Sequence, residues 1–139
     1  MQSLRAIAFL AVLAAPVQAH AGDLTIYVDD VKGEAGAVMV AVFNSAETFL
    51  KSPVAATGTP AAATAGNAIV IKDLPAGDYA FAVYHDANGN GKMDRNMMGI
   101  PTEDYAFSNN ALGAMGPPSY DGAKFTVPAA GATVRVSLK

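Results

Sequence analysis

The sequence beyond residue 20 is a succession of short apolar segments separated by turns rich in glycine, proline, asparagine and aspartate. Such segments are typical of strands, and no segment beyond the first 19 residues has sustained helical periodicity. The predicted strands occupy residues 24–28, 36–43, 55–66 (a loop with a weak edge strand), 68–71, 79–85, 123–127 and 132–138. About seven short strands predict an all-β fold, a single antiparallel β-sandwich with a long irregular loop at residues 95–122.

The first 19 residues have the pattern of a cleaved export signal. Residues 1–5 are weakly positive, residues 6–15 are continuously apolar, and Ala19 and Ala21 both suit signal peptidase. The apolar run is too short to span a bilayer, and no second such segment follows it. We therefore expect cleavage after Ala19 or Ala21, a β-sandwich domain at residues 20–139, no membrane span after cleavage, and a periplasmic or secreted location in a bacterium.

The charge balance and the absence of cysteine exclude two classes of protein. The chain has a formal net charge of −3 and only 9 scattered basic residues, so we expect no nucleic-acid partner. It has no cysteine, so a small exported domain of this sequence must be stabilised by packing or by a bound metal in place of disulfides.

Oxygen-bearing side chains recur at every second position where the fifth predicted strand ends. Asp86, Asn88 and Asn90 alternate along the chain, Gly91 follows them, and a second carboxylate comes at Asp94. Hard cations such as Ca²⁺ bind several converging oxygens, and a glycine lets the backbone turn around the ion. The pattern predicts a structural calcium site that fastens the long loop to the sandwich. The alternative is an Asn-Gly turn without a metal, because the same residues favour turns.

Two groups of residues resemble known families. The turn Leu74-Pro75-x-Gly77-x-Tyr79 resembles that of transthyretin-like and carboxypeptidase-regulatory-like domains, which implies a transthyretin-like or immunoglobulin-like sandwich. The motifs YHDANGNGKMD at residues 84–94, GIPTEDYAFSNN at 99–110 and GPP at 116–118 resemble those of an uncharacterised bacterial family of exported domains. The second resemblance covers nearly the whole mature chain. It implies a sandwich fold and export, and it carries no assigned activity.

The predicted metal loop differs from the helix-flanked calcium loop in its last ligand. In that loop the position of Lys92 supplies a backbone carbonyl, the position of Asp94 a further ligand, and the twelfth position a bidentate glutamate. The twelfth position here is Met97, and the loop leaves a strand, so the segment is not an EF-hand. We expect Glu103 or Asp104 to supply the missing carboxylate, and Glu103 is favoured because it lies in the motif of the second resembling family.

A second candidate site lies in the same long loop, where aromatic side chains stand beside polar ones: Tyr105, Phe107, Ser108, Asn109 and Asn110. Such combinations often form surfaces that bind sugars or peptides. The favoured alternative is internal. In that interpretation Phe107 closes the end of the sandwich, and the asparagines satisfy backbone groups of the loop.

Histidine and methionine suggest copper as an alternative metal. Cleavage after Ala19 would leave His20 at the N-terminus, where its amine and imidazole together chelate copper, and His85 is the second histidine. Imidazole and thioether are copper ligands, and the methionines near His85 in sequence are Met93, Met97, Met98 and Met115. Cleavage after Ala21 would discard His20, and the metal loop offers harder oxygen ligands.

No arrangement in the sequence indicates an enzyme. There is no cysteine nucleophile, no Gly-x-Ser-x-Gly elbow, no His-Glu-x-x-His motif and no phosphate-binding glycine loop. We therefore expect an exported, non-catalytic binding or accessory module of the bacterial envelope with a calcium-stabilised loop. Its expected partner is an unidentified envelope protein, peptide or glycan. The alternative is a periplasmic copper-binding protein that uses His20 and His85.

Overall fold

The computed structural model describes residues 21–139. The predicted signal peptide and His20 lie outside the described residues, so export stays a prediction. The described residues form eight strands: β1 Ala21–Asp29, β2 Ala37–Phe43, β3 Ala55–Pro60, β4 Ile69–Pro75, β5 Gly77–Asp86, β6 Tyr105–Phe107, β7 Phe125–Val127 and β8 Ala132–Ser137. A short helix, α1 (Tyr120–Ala123), and two 3₁₀ turns, Ala61–Ala63 and Ser108–Asn110, are also present. No helix within residues 21–139 is both long enough and apolar enough to cross a bilayer.

The strands form two packed sheets, which confirms the predicted all-β sandwich. β1 lies between β4 and β8 in a three-stranded sheet, and the larger sheet has the order β3-β2-β5-β6, with β7 paired to the first residues of β5. Among the strand pairs of the described residues, one departs from the predicted antiparallel arrangement. β1 and β8 run parallel, from Leu24 beside Ala132 to Asp29 beside Ser137. The pair can be parallel because the rest of the domain, not a hairpin, connects these two strands.

Alternation along the strands produces the core between the sheets. Every second residue of β1 and β2 is buried, as a strand with one face on a core requires. These side chains meet those of β5 and β8 across the sandwich. The largest fully buried apolar side chains are those of Leu24, Ile26, Val38, Val40, Val42, Phe81, Val83, Val127 and Val136. Burial of this apolar surface, at about 25 cal/mol per Å², is the main stabilising term for a chain without disulfides.

A second apolar cluster lies on the opposite face of the larger sheet. Phe43 follows the core residue Val42, and Ala80 precedes the core residue Phe81, so both point away from the core. Phe49 covers them from the turn after β2, and its ring meets the rings of three other residues edge-on, at centroid distances of 5.4–6.4 Å. These three residues are Phe43, Phe107 and Tyr120.

The long loop contains more regular structure than the sequence predicts. β6 pairs with β5 within the segment expected to be irregular, and its three residues are too few to show alternation. The strand predicted for residues 123–127 begins only at Phe125, because helix α1 precedes it. Ser119 caps that helix by accepting a hydrogen bond from the backbone N–H of Gly122, at 3.1 Å.

Candidate metal centre

Strand β5 ends at Asp86, whose side chain is buried beneath the turn that follows. Its Oδ1 accepts a hydrogen bond from the backbone N–H of Asn90 (3.2 Å), and its Oδ2 accepts one from Gly91 (2.8 Å). Gly91 has a φ of +76°, a left-handed conformation that favours glycine. The carboxylate of Asp86 therefore fixes the first turn of the loop.

The base of the loop lies against the segment that precedes β2. The backbone of Gly36 approaches Asp86 so closely that a Cβ at position 36 would stand 1.9 Å from the carbonyl oxygen of Asp86. Only glycine fits there, and its φ of +70° also favours glycine. The position of Asp86 is thus fixed from outside the loop as well as from within it.

The second carboxylate of the loop, that of Asp94, faces the side chains of both asparagines. The amide of Asn88 donates to Oδ2 at 2.5 Å, and the amide of Asn90 donates to Oδ1 at 2.7 Å. These hydrogen bonds, from Asn90 first and then Asn88, lower the pKa of Asp94 below its usual value of 3.8. Asp86, Asn88, Asn90 and Asp94 are therefore joined in one hydrogen-bonded turn.

Glu103 reaches this turn from the other end of the loop. Its Oε2 accepts a hydrogen bond from the backbone N–H of Asp94 at 3.1 Å. A contact with the Glu103 carboxyl group also lowers the pKa of Asp94, so the two carboxyl groups are neighbours. The other oxygen, Oε1, is buried and has no hydrogen-bond partner among the described residues. Native proteins leave few such atoms unpaired.

The pKa of Tyr84 is affected by the same carboxylates. Burial raises the pKa of its phenol above 10.0, and the carboxylates of Asp86, Glu103 and Asp94 raise it further. A negative phenolate is disfavoured beside negative carboxylates. All three carboxylates therefore act on one point of the sheet beside the loop.

The remaining predicted ligands differ in their availability. Lys92 is exposed, and its backbone N–H donates to Oδ1 of Asn90 at 3.0 Å. Asp104 is already engaged elsewhere, because its carboxylate pairs with Lys32 at 3.1 Å. The structure thus brings Glu103, and not Asp104, to the metal loop.

The donor set fits a hard cation only if amide and carbonyl oxygens contribute. Among residues 21–139, no three His, Asp or Glu side chains lie close enough to hold a metal by themselves. Calcium sites normally add amide and carbonyl oxygens to a few carboxylates. Asn88 and Asn90 now present their NH₂ groups to Asp94, so each amide must rotate to direct its oxygen at an ion.

The residues predicted as a second ligand-binding surface make internal contacts. Phe107 is buried in the second apolar cluster, and Ser108 Oγ donates to the carbonyl of Ala123 at 2.6 Å. The amide of Asn109 donates to the carbonyls of Ala123 and Lys124. The two remaining residues also make internal contacts: the Tyr105 ring meets the Phe107 ring edge-on, and Asn110 Oδ1 accepts from the N–H of Ser137.

His85, one of the two predicted copper ligands, is 5% exposed, and its Nε2 lies 2.7 Å from the carbonyl oxygen of Ala35. His85 lies near the end of β5. His20 lies outside the described residues, so the copper site stays a prediction.

Sequence reasoning missed a small hairpin that leaves the metal loop, here called the methionine hairpin (residues 95–101). Arg95 and Pro101 form an isolated antiparallel bridge, and Oδ1 of Asn96 accepts from the N–H groups of Met98 and Ile100. The bridge is a single pair and gives no periodic signal. Asn96, followed three residues later by Gly99, was the available sign of a turn.

A family of sequences matches residues 26–135, a range that includes the metal loop and the methionine hairpin. The description of this family is "Uncharacterized protein conserved in bacteria (DUF2141)". No curated protein and no solved structure matches the chain. The match agrees with the predicted resemblance to an uncharacterised bacterial family, whereas the transthyretin-like resemblance stays a prediction.

Proposed function

Since the chain belongs to this family of uncharacterised bacterial proteins, we propose that it is a calcium-stabilised binding or accessory module of the bacterial envelope. The module is non-catalytic, and the ion holds the loop after β5 against the sandwich. The proposed ligands are the side chains of Asp86, Asn88, Asn90, Asp94 and Glu103 and the backbone carbonyl of Lys92.

The observation that carries the proposal is the buried, unpartnered Oε1 atom of Glu103. A polar atom removed from water without a partner costs about 1–3 kcal/mol, and a charged one costs more. The carboxyl group of Asp94 is a neighbour of Glu103. A cation bound between the two would give Oε1 of Glu103 the partner that it lacks. The competing explanation is a proton shared by Glu103 and Asp94, which predicts no dependence on metal.

The donor chemistry supports calcium over other cations. Carboxylate, amide and carbonyl oxygens are hard ligands, which suit Ca²⁺ and Mg²⁺ better than copper. Mg²⁺ requires a near-octahedral shell, whereas Ca²⁺ accepts irregular shells of about six to eight oxygens. Donors that come from one irregular turn and one distant glutamate resemble the second case.

The ion would stabilise the domain by joining two distant points of the chain. Asp86 stands at the end of β5, and Glu103 stands two residues before β6, so a shared ion closes the loop between them. With a Kd of about 10 μM, 1 mM Ca²⁺ would add about 2.7 kcal/mol. That is a large part of the ~5–15 kcal/mol by which domains are stable.

A thermal melt with Ca²⁺ and with EGTA tests the proposal. We expect Ca²⁺ to raise the Tm of the wild-type protein by about 5–15 °C. Glu103→Gln and Asp94→Asn should remove most of that rise, because each removes a ligand charge. Asp121→Asn, a carboxylate paired with Lys124 and not with the loop, is the matched control. Equal Tm values in Ca²⁺ and EGTA, with no heat of binding by calorimetry, would contradict the proposal.

Placement at the envelope rests on the signal pattern of residues 1–19. Cleavage after Ala19 would leave all of β1 in the mature protein, whereas cleavage after Ala21 would remove the first residue of that strand. Intact-mass analysis of the protein from a periplasmic or secreted fraction tests both statements. We expect an N-terminus at His20. A mass that still includes Met1, from protein found with the cytosol, would overturn the proposed location.

A further inference from the structure

The methionine hairpin is a self-supported projection. The backbone N–H of Asn96 donates to the carbonyl of Ile100 at 2.9 Å, and that of Gly99 donates to the carbonyl of Asn96 at 2.9 Å. The guanidinium of Arg95 donates to the carbonyl of Gly99 at 3.0 Å. These bonds close the hairpin on itself, so its shape does not depend on packing against the sandwich.

The end of this projection is apolar and exposed. Met97 is 104% exposed, Met98 83% and Ile100 53%, although such side chains are normally buried. Three large apolar side chains are thus exposed within four residues of one hairpin. Exposed apolar side chains that are grouped in this way mark a surface that contacts something else. The patch is convex, because it covers the tip of a hairpin and not the floor of a groove.

The net charge next to the hairpin depends on whether the proposed metal site is occupied. Arg95, the first residue of the hairpin, and Lys92, three residues before it, are both exposed. The carboxylates of Asp86, Asp94 and Glu103 lie in the adjoining loop. Without a cation these five groups carry one net negative charge. A bound Ca²⁺ would change that value to one net positive charge. The remaining acidic residue of the loop is already neutralised by a lysine.

We propose that the calcium-loaded loop docks the protein on an anionic lipid bilayer by inserting the methionine hairpin. The apolar side chains of Met97, Met98 and Ile100 enter the boundary between headgroups and acyl chains, and Lys92 and Arg95 contact lipid phosphates. Arg95 lies two residues before the tip, about 7 Å along an extended chain. That spacing matches the ~5–10 Å to which interfacial segments penetrate.

A bilayer fits this surface better than a protein groove does. Its layers place phosphate above hydrocarbon, in the same order as the basic base and the apolar tip of the hairpin. A fluid surface also needs no concave partner for a convex projection. The inference rests on the proposed calcium site, because only an ion there makes the base of the hairpin attractive to anionic lipid.

Co-sedimentation with vesicles tests the inference. One set of vesicles contains equal parts of phosphatidylglycerol and phosphatidylethanolamine, and the other contains phosphatidylcholine alone. Each is mixed with the protein in about 1 mM Ca²⁺ or in EGTA. We expect binding to the anionic vesicles in Ca²⁺, and at least about tenfold weaker binding in EGTA or to phosphatidylcholine.

Paired variants separate the two proposals. M97S/M98S should lower vesicle binding at least about tenfold, because it removes most of the inserted apolar surface. Its heat of Ca²⁺ binding and its Tm in Ca²⁺ should equal those of the wild type. Met115→Ser is the matched control, since Met115 is 101% exposed but lies outside the hairpin.

Several results would overturn the inference. Ca²⁺ binding without vesicle binding overturns it and leaves the proposed calcium site intact, whereas no heat of Ca²⁺ binding overturns both. Vesicle binding that is equal in Ca²⁺ and EGTA, or unchanged in M97S/M98S, shows that the hairpin and its metal do not control docking. Calcium-dependent dimers in analytical ultracentrifugation, without vesicle binding, would assign the tip to a second copy of the chain.

Discussion

Two halves of the segment between β5 and β7 are ordered by different forces. The first, residues 87–104, contains most of the metal loop and the methionine hairpin, and its contacts are hydrogen bonds to side-chain and backbone oxygens. The second, residues 105–123, contains β6 and α1 and is ordered by aromatic packing around Phe107 and Tyr120. The first half exposes Met97, Met98 and Ile100, whereas the second buries the rings of Phe107 and Tyr120. The proposed calcium ligands all lie at the start of this segment or in its first half, and none lies in the second.

The largest expected effect is the loss of packing in the second half. Phe107→Ala removes a buried ring that contacts Phe49 and Tyr105, and we expect it to destabilise the domain by about 3–5 kcal/mol in urea denaturation. Leu112→Ala, in the same half but 64% exposed, should change stability by less than about 0.5 kcal/mol. Equal effects of the two substitutions would show that aromatic packing does not order this half.

Calcium removal should act on the first half alone. Chelation should remove the proposed metal bridge between Asp86 and Glu103. Backbone amides of residues 87–104 should then exchange hydrogen at least about tenfold faster in EGTA, which corresponds to about 1.4 kcal/mol. Amides of residues 105–123 should keep their protection apart from any global change. Hydrogen exchange followed by mass spectrometry measures both halves in one experiment. Uniform acceleration across the two would contradict the division.

An intermediate effect is expected at Ser108, the polar centre of the second half. Its Oγ accepts from the N–H of Phe81 at 3.0 Å and donates to the carbonyl of Ala123 at 2.6 Å. Ser108→Ala removes the side-chain acceptor of the buried Phe81 N–H, whereas the carbonyl of Ala123 keeps its hydrogen bond from Asn109. The substitution should cost about 1–3 kcal/mol. Ser52→Ala, at an exposed turn, is the control. A neutral Ser108→Ala in chemical denaturation would mean that the two backbone groups find other partners.

The smallest effects concern pH, and they have opposite signs in the two halves. Hydrogen bonds from Asn90 and Asn88 lower the pKa of Asp94, so its contribution is present above the unfolded pKa of about 3.9 and is lost as pH falls through the folded pKa. Burial raises the pKa of Tyr120 above 10.0, so its contribution is present below that value and is lost as pH rises through the folded pKa.

Hydrogen exchange at the two pH extremes measures this difference. Acid should loosen residues 87–104 first, and alkali should loosen residues 105–123 first. Tyr120→Phe should abolish the alkaline change that Tyr120 causes, because it removes the titrating hydroxyl. A single transition that loosens both halves together at either extreme would be inconsistent with separate causes.

The sandwich could be predicted from the sequence because alternation is a local signal. The inward face of β1 can be identified from its own sequence, because apolar residues occupy every second position: Leu24, Ile26 and Val28. The alternating oxygens from Asp86 to Asp94 likewise predict a turn around a point, and the structure gathers those residues. Glu103 was favoured over Asp104 on family resemblance, and it is Glu103 that reaches Asp94.

What could not be predicted depends on contacts between distant residues. β6 is three residues long and exists because β5 offers it a partner. The parallel pairing of β8 with β1 cannot be recognised in the sequence of either strand. A parallel and an antiparallel arrangement would both place the same side chains inward. The methionine hairpin was also missed, because the exposed state of Met97 and Met98 is a property of the folded surface. The same two methionines could equally have been buried in a turn, and nothing in the sequence distinguishes the two cases.

The pairing of the first strand with the last has a consequence for how the molecule is made. One edge of β1 stays open until β8 arrives, and the ion pair that spans the two strands joins Asp29 to Arg135 across 106 residues of chain. Contacts so remote are slow to form. A nascent chain therefore cannot close this sheet before β8 has been released. Until then the free edge of β1 is accessible to chaperones and proteases.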